Sequence, residues 1–428
     1  MKKYYFKQLN DAQLKGLCKR KAGRFDALFP VVKEIIEEVK SQGDRAVKDW
    51  TKKFDGAALS SFIVTEKEID EASLAVTESV KRAFKRAVLN IKKFHETQII
   101  KRKGVETMPG VSCFWEMRPI ERVGLYAPGG SAPLPSTVLM LAIPAKLAGC
   151  REIIMTTPPN REGRVDDIIL YAAKLCGVKN IFKIGGAQAI AAMGYGTESV
   201  PKVYKIFGPG NQHVTAAKML ISIDPDGAAI DMPAGPTEVL IIADKSARPD
   251  FVASDILSQA EHGIDSQSVL VCADKKKTDE ILVQVKEQLQ DLPRKEIAKK
   301  ALNNSFALIV DSVEEAITFS NMYAPEHLIL NVENVEKYVA KIINAGSVFL
   351  GQYSCESAGD YASGANHSLP TYGYSRVYGG VSVSSFQKQI TFQKITKQGA
   401  KNLGPIVSKM AEQESLKGHK RAMELRYK

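Results

Sequence analysis

The chain contains only six histidines, so each can be weighed as a catalytic or metal-binding residue. His262 follows Gln259 by three positions in the stretch SQAEHG (258–263). If a helix continues through this stretch, the two side chains share a face and could bind one metal ion, whereas Glu261 would point elsewhere. The same spacing is also typical of a helix surface or a helix C-terminus, and spacing alone leaves both interpretations open.

A second candidate is the pair Glu326–His327, which directly follows Pro325. Proline is favoured at the first position of a helix, so we expect a helix to begin here with a carboxylate and an imidazole at its start. Neighbouring glutamate and histidine side chains suit general acid–base catalysis. A purely structural role for the pair is the alternative.

The segment 351–382 is rich in Gly, Ser and Tyr and carries Asp360 and His367, seven residues apart. It is too long for a simple connector, and long loops of this kind are usually functional. Nearer the C-terminus, Glu414 precedes His419 in a stretch with helical periodicity. These four side chains complete the set that could do chemistry.

Three predicted strands end in glycine-containing turns: PGGS at 128–131, GGAQ at 185–188 and GPGN at 208–211. Glycines let backbone N–H groups approach a phosphate closely, and the helix that follows offers a partial positive charge. No GxGxxG dinucleotide fingerprint occurs. The turns therefore favour a nucleotide, with ordinary tight strand–helix turns as the alternative.

Several familiar catalytic patterns are missing from the sequence. It contains no HExxH, CxxC, GxSxG or Walker A pattern, which argues against a metalloprotease, a zinc finger, an α/β-hydrolase and a P-loop enzyme. The six cysteines are scattered singly and form no disulfide framework, as in a cytosolic protein with reduced thiols. Their positions are 18, 113, 150, 176, 272 and 355.

Two kinds of periodicity predict the elements that position these residues. Residues 1 to about 100 carry a mainly helical rhythm, and from about 120 short apolar runs alternate with helical stretches. This alternation predicts an α/β fold with parallel sheets. The predicted strands are 123–126, 152–156, 181–184, 203–207, 239–243, 268–272, 307–310 and 347–350.

Composition bounds the class of protein. No run approaches the length of apolar sequence that a membrane span requires, and no apolar stretch follows the basic N-terminal residues as in a signal peptide. The net charge of +11 raises the alternative of nucleic-acid binding. The basic residues are dispersed, however, and the aromatic residues are not interleaved with them, so we predict no nucleic-acid partner.

Seven longer motifs resemble those of the histidinol dehydrogenase family. They occur in order along nearly the whole chain, and generic dehydrogenases do not share them. They are VGLYAPGGSAPLPSTVLM (123–140), GGAQAIAA (185–192), IFGPGN (206–211), DMPAGPTEVL (231–240), SQAEHG (258–263), APEHL (324–328) and AGDYASGANH (358–367).

The resemblance implies a reaction and a set of cofactors. L-histidinol would be oxidised through its aldehyde to L-histidine, the last steps of histidine biosynthesis, with two NAD and one water. His327 is expected to be the general base and Glu326 the residue that activates water. A zinc ion would orient the substrate, with Mn or Co as alternatives. The nearest rival is a related zinc-independent or differently specific alcohol dehydrogenase on the same scaffold, and the four expected ligand positions argue against loss of the metal.

The resemblance also assigns residues to each ligand. Zinc is expected to bind Gln259, His262, Asp360 and His419, and NAD is expected to contact Tyr126, Gln188 and Asn211. The remaining substrate contacts are expected from Ser136, Thr237, His367 and Glu414. Thr237 stands where serine is also familiar in the family, a change that keeps the hydroxyl group.

The implied fold is a pair of incomplete Rossmann-like domains, one inserted in the other, with helical N- and C-terminal extensions. We assign 1–22 to the N-terminal extension, 23–125 with 237–380 to the first domain, 126–236 to the second and 381–428 to the tail. The family forms a cytoplasmic homodimer with shared active sites. The tail is expected to cross to the partner subunit, bringing Glu414 and His419, and with them His367, to the other site.

Overall fold

The computed structural model describes residues 1–20, 25–129 and 133–428, and its strands form three sheets. The strands in chain order are β1 Lys2–Tyr5, β2 Lys103–Met108, β3 Val111–Pro119, β4 Arg122–Tyr126, β5 Glu152–Thr157, β6 Asn180–Lys183, β7 Lys205–Phe207, β8 Ala229–Ile230, β9 Glu238–Ala243, β10 Gln267–Cys272, β11 Phe306–Ile309, β12 His327–Asn331, β13 Ser347–Leu350 and β14 Gln387–Ile395.

The helices surround these sheets and form both ends of the molecule. In chain order they are α1 Asp11–Leu17, α2 Phe25–Gln42, α3 Asp44–Asp55, α4 Glu66–Ala75, α5 Glu78–Glu96, α6 Pro135–Ala148, α7 Asp167–Leu175, α8 Gly186–Tyr195, α9 Gln212–Ser222, α10 Pro249–Ala260, α11 Lys275–Gln288, α12 Lys295–Asn303, α13 Val313–Tyr323, α14 Glu356–Tyr361, α15 Lys397–Gln413 and α16 Lys417–Tyr427.

The largest sheet has six parallel strands in the order β1-β11-β10-β9-β12-β13. The strands predicted near 239, 268, 307 and 347 are confirmed as β9, β10, β11 and β13. The helix predicted to begin after Pro325 is wrong, because His327 opens the buried strand β12. Its short apolar run HLILN is fully buried, and such a run carries no periodicity that separates a strand from a helix.

A second sheet has five parallel strands in the order β6-β5-β4-β7-β8. Relative to the chain, this is the order 3-2-1-4-5 of a dinucleotide-binding domain. Its strands lie in sequence between β1 and β9 of the six-stranded sheet, so one α/β domain is inserted in the other as predicted. The predicted domain boundaries stay predictions. The first, between 22 and 23, lies in residues 21–24, outside the described residues. The second, between 125 and 126, falls within β4, and all of β4 belongs to the inserted sheet.

The third sheet is antiparallel, with β3 between β14 and β2. The helical extensions predicted at both ends of the chain are confirmed, and each also contains a strand. In the tail from 381, β14 precedes α15 and α16, and at the N-terminus β1 precedes α1. Strands β2 and β14 are largely exposed and rich in polar residues, so the alternation that marks a half-buried strand is weak in both.

The N-terminal helices α2 and α3 pack against the inserted domain. Val32, Ile35, Val47 and Trp50 join the same buried cluster as residues of the five-stranded sheet. Helix α3 ends at Asp55, next to the carboxyl edge of that sheet. A segment distant in sequence therefore contributes to the edge where dinucleotides bind in such sheets.

Candidate active site

A cleft of about 770 Å³ lies at the carboxyl edge of the five-stranded sheet. Its lining brings together the three predicted cofactor residues, Tyr126, Gln188 and Asn211, which are far apart in sequence. Each lies at or shortly after the end of a parallel strand, and the carboxyl ends of such strands meet at one edge. Gly130 and Ser131 of the first predicted turn lie outside the described residues.

Tyr126 and Gln188 meet at the start of helix α8. The backbone N–H of Gly186 donates to the hydroxyl oxygen of Tyr126 at 3.1 Å, and burial raises the pKa of Tyr126 to about 12. The side chain of Gln188 is fully buried, and neither atom of its amide has a hydrogen-bond partner among the described residues. Buried polar groups are rarely left unpaired, so this amide fits a site for a polar ligand.

The turn before helix α9 is held in place by a buried ion pair. Asn211 caps the helix, with its side-chain oxygen accepting from the N–H groups of His213 and Val214. Lys218 pairs with Asp231 and donates to the carbonyl oxygen of Gly208, while Asp231 accepts from the N–H of Gly208. These contacts hold the turn in place. Gly208 (φ +122°) lies against the backbone of strand β4, at a position where a side chain would clash.

The predicted catalytic pair lies at the amino end of strand β12. The register sets His327 opposite Val239, which places Glu326 beside Glu238 at the start of β9. One carboxylate oxygen of Glu326 accepts from the hydroxyl of Thr237 at 2.6 Å and from the N–H of Glu238 at 2.8 Å. Burial raises the pKa of Glu326 to about 7, although these donors and His327 act in the opposite direction.

The imidazole of His327 is buried with its two nitrogens in different surroundings. Nδ1 lies 3.2 Å from the carbonyl oxygen of Glu238, and a carbonyl can only accept, so Nδ1 carries the proton. Nε2 lies 3.7 Å from Asp360 Oδ1 and has no hydrogen-bond partner among the described residues. Burial lowers the pKa of His327, but the carboxylates of Glu356, Glu326 and Asp360 outweigh it and raise the pKa well above its usual range.

Two of the four predicted metal ligands, His262 and Asp360, lie near this pair. Helix α10 ends at Ala260, so His262 is not on a continuous helical face with Gln259, and that part of the prediction is wrong. His262 and Asp360 nevertheless belong to one group with Glu356, whose ligand atoms lie within 4.8 Å of one another. Gln259 is fully buried, and neither atom of its amide has a partner among the described residues.

The predicted substrate residues divide between the two domains. Thr237 contacts Glu326, as described above. Nε2 of His367 lies 3.2 Å from the hydroxyl oxygen of Thr137, next to Ser136 at the start of α6. Its Nδ1 donates to the backbone oxygen of Asp360 at 2.9 Å. The expectation that His367 serves the partner's site is therefore corrected, because this histidine lies beside Asp360 of its own chain.

A comparison with known families accounts for this arrangement. The family model described as histidinol dehydrogenase matches residues 18–427. The chain belongs to the histidinol dehydrogenase family. The predicted family is confirmed, and with it the enzyme class, an oxidoreductase.

Relatives of the histidinol dehydrogenase family match nearly the whole chain. The chain is 54% identical over 410 residues to the histidinol dehydrogenase of Bacteroides thetaiotaomicron, covering 96% of this chain and 95% of the relative. It is 53% identical to a chloroplastic histidinol dehydrogenase of Oryza sativa, covering 100% of this chain and 90% of the relative. The crystal structure of histidinol dehydrogenase from Elizabethkingia anophelis has 52% identity and a TM-score of 0.96, covering 100% and 98% of the two chains. This match confirms the predicted fold class.

The tail residues that the histidinol dehydrogenase resemblance assigns to the site are not brought to it. Glu414 and His419 are both exposed on the helical tail, and neither joins the His262–Glu356–Asp360 group in the described chain. Their predicted role in a partner's site stays a prediction.

Sequence reasoning missed Glu356 in this member of the histidinol dehydrogenase family. Its side chain is buried, its Oε1 lies 3.7 Å from His327 Nδ1, and both carboxylate oxygens lack a hydrogen-bond partner in the described chain. Burial raises its pKa to about 8. The signal was present: Glu356 and Asp360 are four residues apart, which puts them on one face of helix α14.

Proposed function

We propose that this protein oxidises L-histidinol to L-histidine in two successive steps, with two NAD and one water, producing two NADH and three protons. The observation that carries the proposal is the position of His327. Its Nε2, which has no hydrogen-bond partner in the described part of the chain, lies 3.7 Å from Asp360 of the His262–Glu356–Asp360 group, and Glu326 is fixed beside it. An alcohol bound at that group would meet a base at its hydroxyl group.

The residues present fit a zinc ion. Imidazole and carboxylate ligands from His262 and Asp360 suit a borderline cation, and an amide oxygen from Gln259 is a less common third ligand. The buried amide of Gln259 has no partner among the described residues, as expected of a side chain shaped for a ligand. When bound, the ion would hold the substrate's amino and imidazole nitrogens and so orient it.

The cleft at the five-stranded sheet fits NAD. Its lining contains the amide of Gln188, which has no partner in the described part of the chain, Gly186 at the start of α8 and the basic side chains Arg161 and Arg164. Backbone N–H groups at a helix start together with arginines suit a diphosphate. When bound, NAD accepts the hydride of each oxidation.

His327 acts as the general base in both oxidations. The backbone oxygen of Glu238 fixes the tautomer, so Nε2 is the acceptor that takes the alcohol proton. The surrounding carboxylates stabilise the imidazolium that forms. The same nitrogen can accept a second proton after the aldehyde has been hydrated.

Glu326 activates the water that attacks the aldehyde. The hydrogen bonds from Thr237 and Glu238 fix one oxygen of the carboxylate, and a carboxyl group whose pKa lies near neutrality can both accept and return a proton. Because Glu326 and His327 are adjacent residues at one strand end, the two proton transfers occur at one place in the site.

We further propose a homodimer in which the tail crosses to the other site, so that Glu414 and His419 of the partner subunit complete the substrate and zinc shells. The exposed position of both side chains supports this proposal. None of the described helices is long and apolar enough to cross a membrane. The cytoplasmic location stays a prediction.

The test is NADH formation from L-histidinol and NAD, measured by absorbance before and after chelation and again after zinc is added. We expect two NADH per histidinol, loss of activity with the chelator and recovery with zinc. The variant His327→Asn, which keeps a polar group but no base, is the matched control. Zinc-loaded protein that forms no NADH from histidinol would contradict the proposal.

A further inference from the structure

One acidic residue in the cleft has no role in the function proposed above. Asp55 is the last residue of helix α3 and lines the cleft with Tyr126 and Gln188. Its Oδ2 atom is buried and has no hydrogen-bond partner among the described residues. A buried carboxylate oxygen that lacks a donor is costly, so a ligand that supplies one is expected at this point.

The carboxylate of Asp55 lies where the ends of strands β5 and β6 meet. A methyl group added to Gly185, just after β6, would lie 3.4 Å from Asp55 Oδ1 and 2.5 Å from the Cβ of Pro158, just after β5. Asp55, Pro158 and Gly185 therefore surround a single point at the carboxyl edge of the sheet.

The topology of the sheet tells which part of a dinucleotide reaches this point. In the order 3-2-1-4-5, strand β4 is the first strand and β5 the second. In dinucleotide-binding domains an acidic residue near the end of the second strand binds the 2′-hydroxyl of the adenosine ribose. Here β5 is followed by Pro-Pro-Asn at 158–160 and brings no acid. Helix α3 supplies Asp55 to the same place from about a hundred residues earlier in the chain.

The charges around the cleft support a hydroxyl ligand for Asp55. Arg161, Arg164 and His213 also line the cleft and suit the diphosphate, which a carboxylate would repel. Burial alone raises the pKa of Asp55 to about 6, and no cation opposes this effect. A diol donates hydrogen bonds to a carboxylate without adding charge.

We propose that Asp55 accepts hydrogen bonds from the adenosine ribose hydroxyls of NAD and thereby selects NAD over NADP. The inference rests on the proposed NAD-dependent function. A 2′-phosphate at this position would set a dianion against the half-buried carboxylate of Asp55, so the same contact that binds NAD excludes NADP.

The test compares the binding of NAD, its adenosine 2′-deoxy analogue and NADP by isothermal titration calorimetry of the zinc-loaded protein. The variant is Asp55→Asn, which keeps the shape and removes the charge. Asp49→Asn is the matched control, because Asp49 is exposed on the same helix. Wild type and D49N are expected to bind NAD about tenfold more tightly than the deoxy analogue, since one hydrogen bond to a charged group is lost.

D55N is expected to bind NAD and the deoxy analogue about equally, and its preference for NAD over NADP should fall by about tenfold or more. Far-UV circular dichroism and thermal unfolding of D55N, compared with wild type and D49N, show whether the variant folds. If D55N still distinguishes NAD from the deoxy analogue as wild type does, the proposal is overturned. A wild-type protein that binds no NAD would instead refute the proposed function.

Discussion

Thr237 and Glu238 together hold one oxygen of Glu326 by a hydroxyl and a backbone N–H donor. At the scale of single residues, the proposed water activation depends on this arrangement, because it decides where the other carboxylate oxygen points. The backbone oxygen of Glu238 also fixes the tautomer of His327. One short stretch of chain therefore orients both members of the acid–base pair.

The hydroxyl of Thr237 can be tested by a pair of substitutions. Thr237→Val removes the donor and keeps the shape, and it should lower kcat about tenfold, because a buried carboxylate loses a hydrogen bond. Thr237→Ser keeps the hydroxyl and should stay within about threefold of wild type. The oxidation of histidinaldehyde should suffer more than that of histidinol, since only the second step needs water. Equal rates for T237V and T237S would show that this hydroxyl does not position Glu326.

Glu356 contributes a carboxylate, without a hydrogen-bond partner in the described residues, to the group that contains His262 and Asp360. We expect Glu356→Gln to weaken zinc binding about tenfold to a hundredfold, as is typical when a residue next to metal ligands loses its charge. The measurement is zinc retained in competition with a chelator. Glu261→Gln, which changes the neighbour of His262 outside this group, is the control and should retain zinc as wild type does.

At the scale of elements, the site depends on how strand ends meet helix starts. Strands β9 and β12 present Thr237, Glu326 and His327 at their amino ends, whereas β4 and β6 present Tyr126 and Gln188 at or just beyond their carboxyl ends. The turn before helix α9 is part of the second group. It carries Asn211 as its cap and depends on the buried Lys218–Asp231 pair.

Breaking this pair should cost stability as well as cofactor binding. Lys218→Met leaves Asp231 buried without its cation, and we expect the free energy of unfolding to fall by about 3–5 kcal/mol. Lys40→Met breaks a more exposed pair with Asp224 and should cost under about 1 kcal/mol. Urea unfolding measures both values. A K218M protein no less stable than K40M would mean that the turn is held by its backbone contacts alone.

At the scale of the whole molecule, the two α/β domains use opposite edges of their parallel sheets. The cofactor cleft lies at a carboxyl edge, and the acid–base pair lies at an amino edge of the other sheet. The two domains meet where His367 contacts Thr137 on helix α6. Glu414 and His419 of the tail are exposed.

The proposed sharing of sites between subunits can be tested with heterodimers of two inactive variants. Co-expressed chains carrying His327→Asn and His419→Asn, with different tags, would give one intact site of two if His419 serves the partner. We expect about half of the wild-type activity per heterodimer. The pair His327→Asn with Glu326→Gln, both acting in their own chain, should recover none. Absence of recovery in the first pair would place His419 in its own subunit's site.

The sequence by itself determined the family and most of the buried strands. Long ordered motifs identified the family, and runs such as 239–243 are apolar enough to be recognised as strands of a parallel sheet without any knowledge of their neighbours. The pairs Gln259–His262 and Glu326–His327 were also visible, because their chemistry depends on residue type and close spacing.

Only the tertiary structure decided which groups meet. Strand β12 was mistaken for a helix because a short apolar run fits either element, and pairing with β9 settles the matter. Asp55 reaches the end of β5, and Glu356 reaches His327, through packing between segments far apart in the chain. Local periodicity reports which side of an element is buried, but not which element covers it. The partners of a buried carboxylate therefore follow from the fold alone.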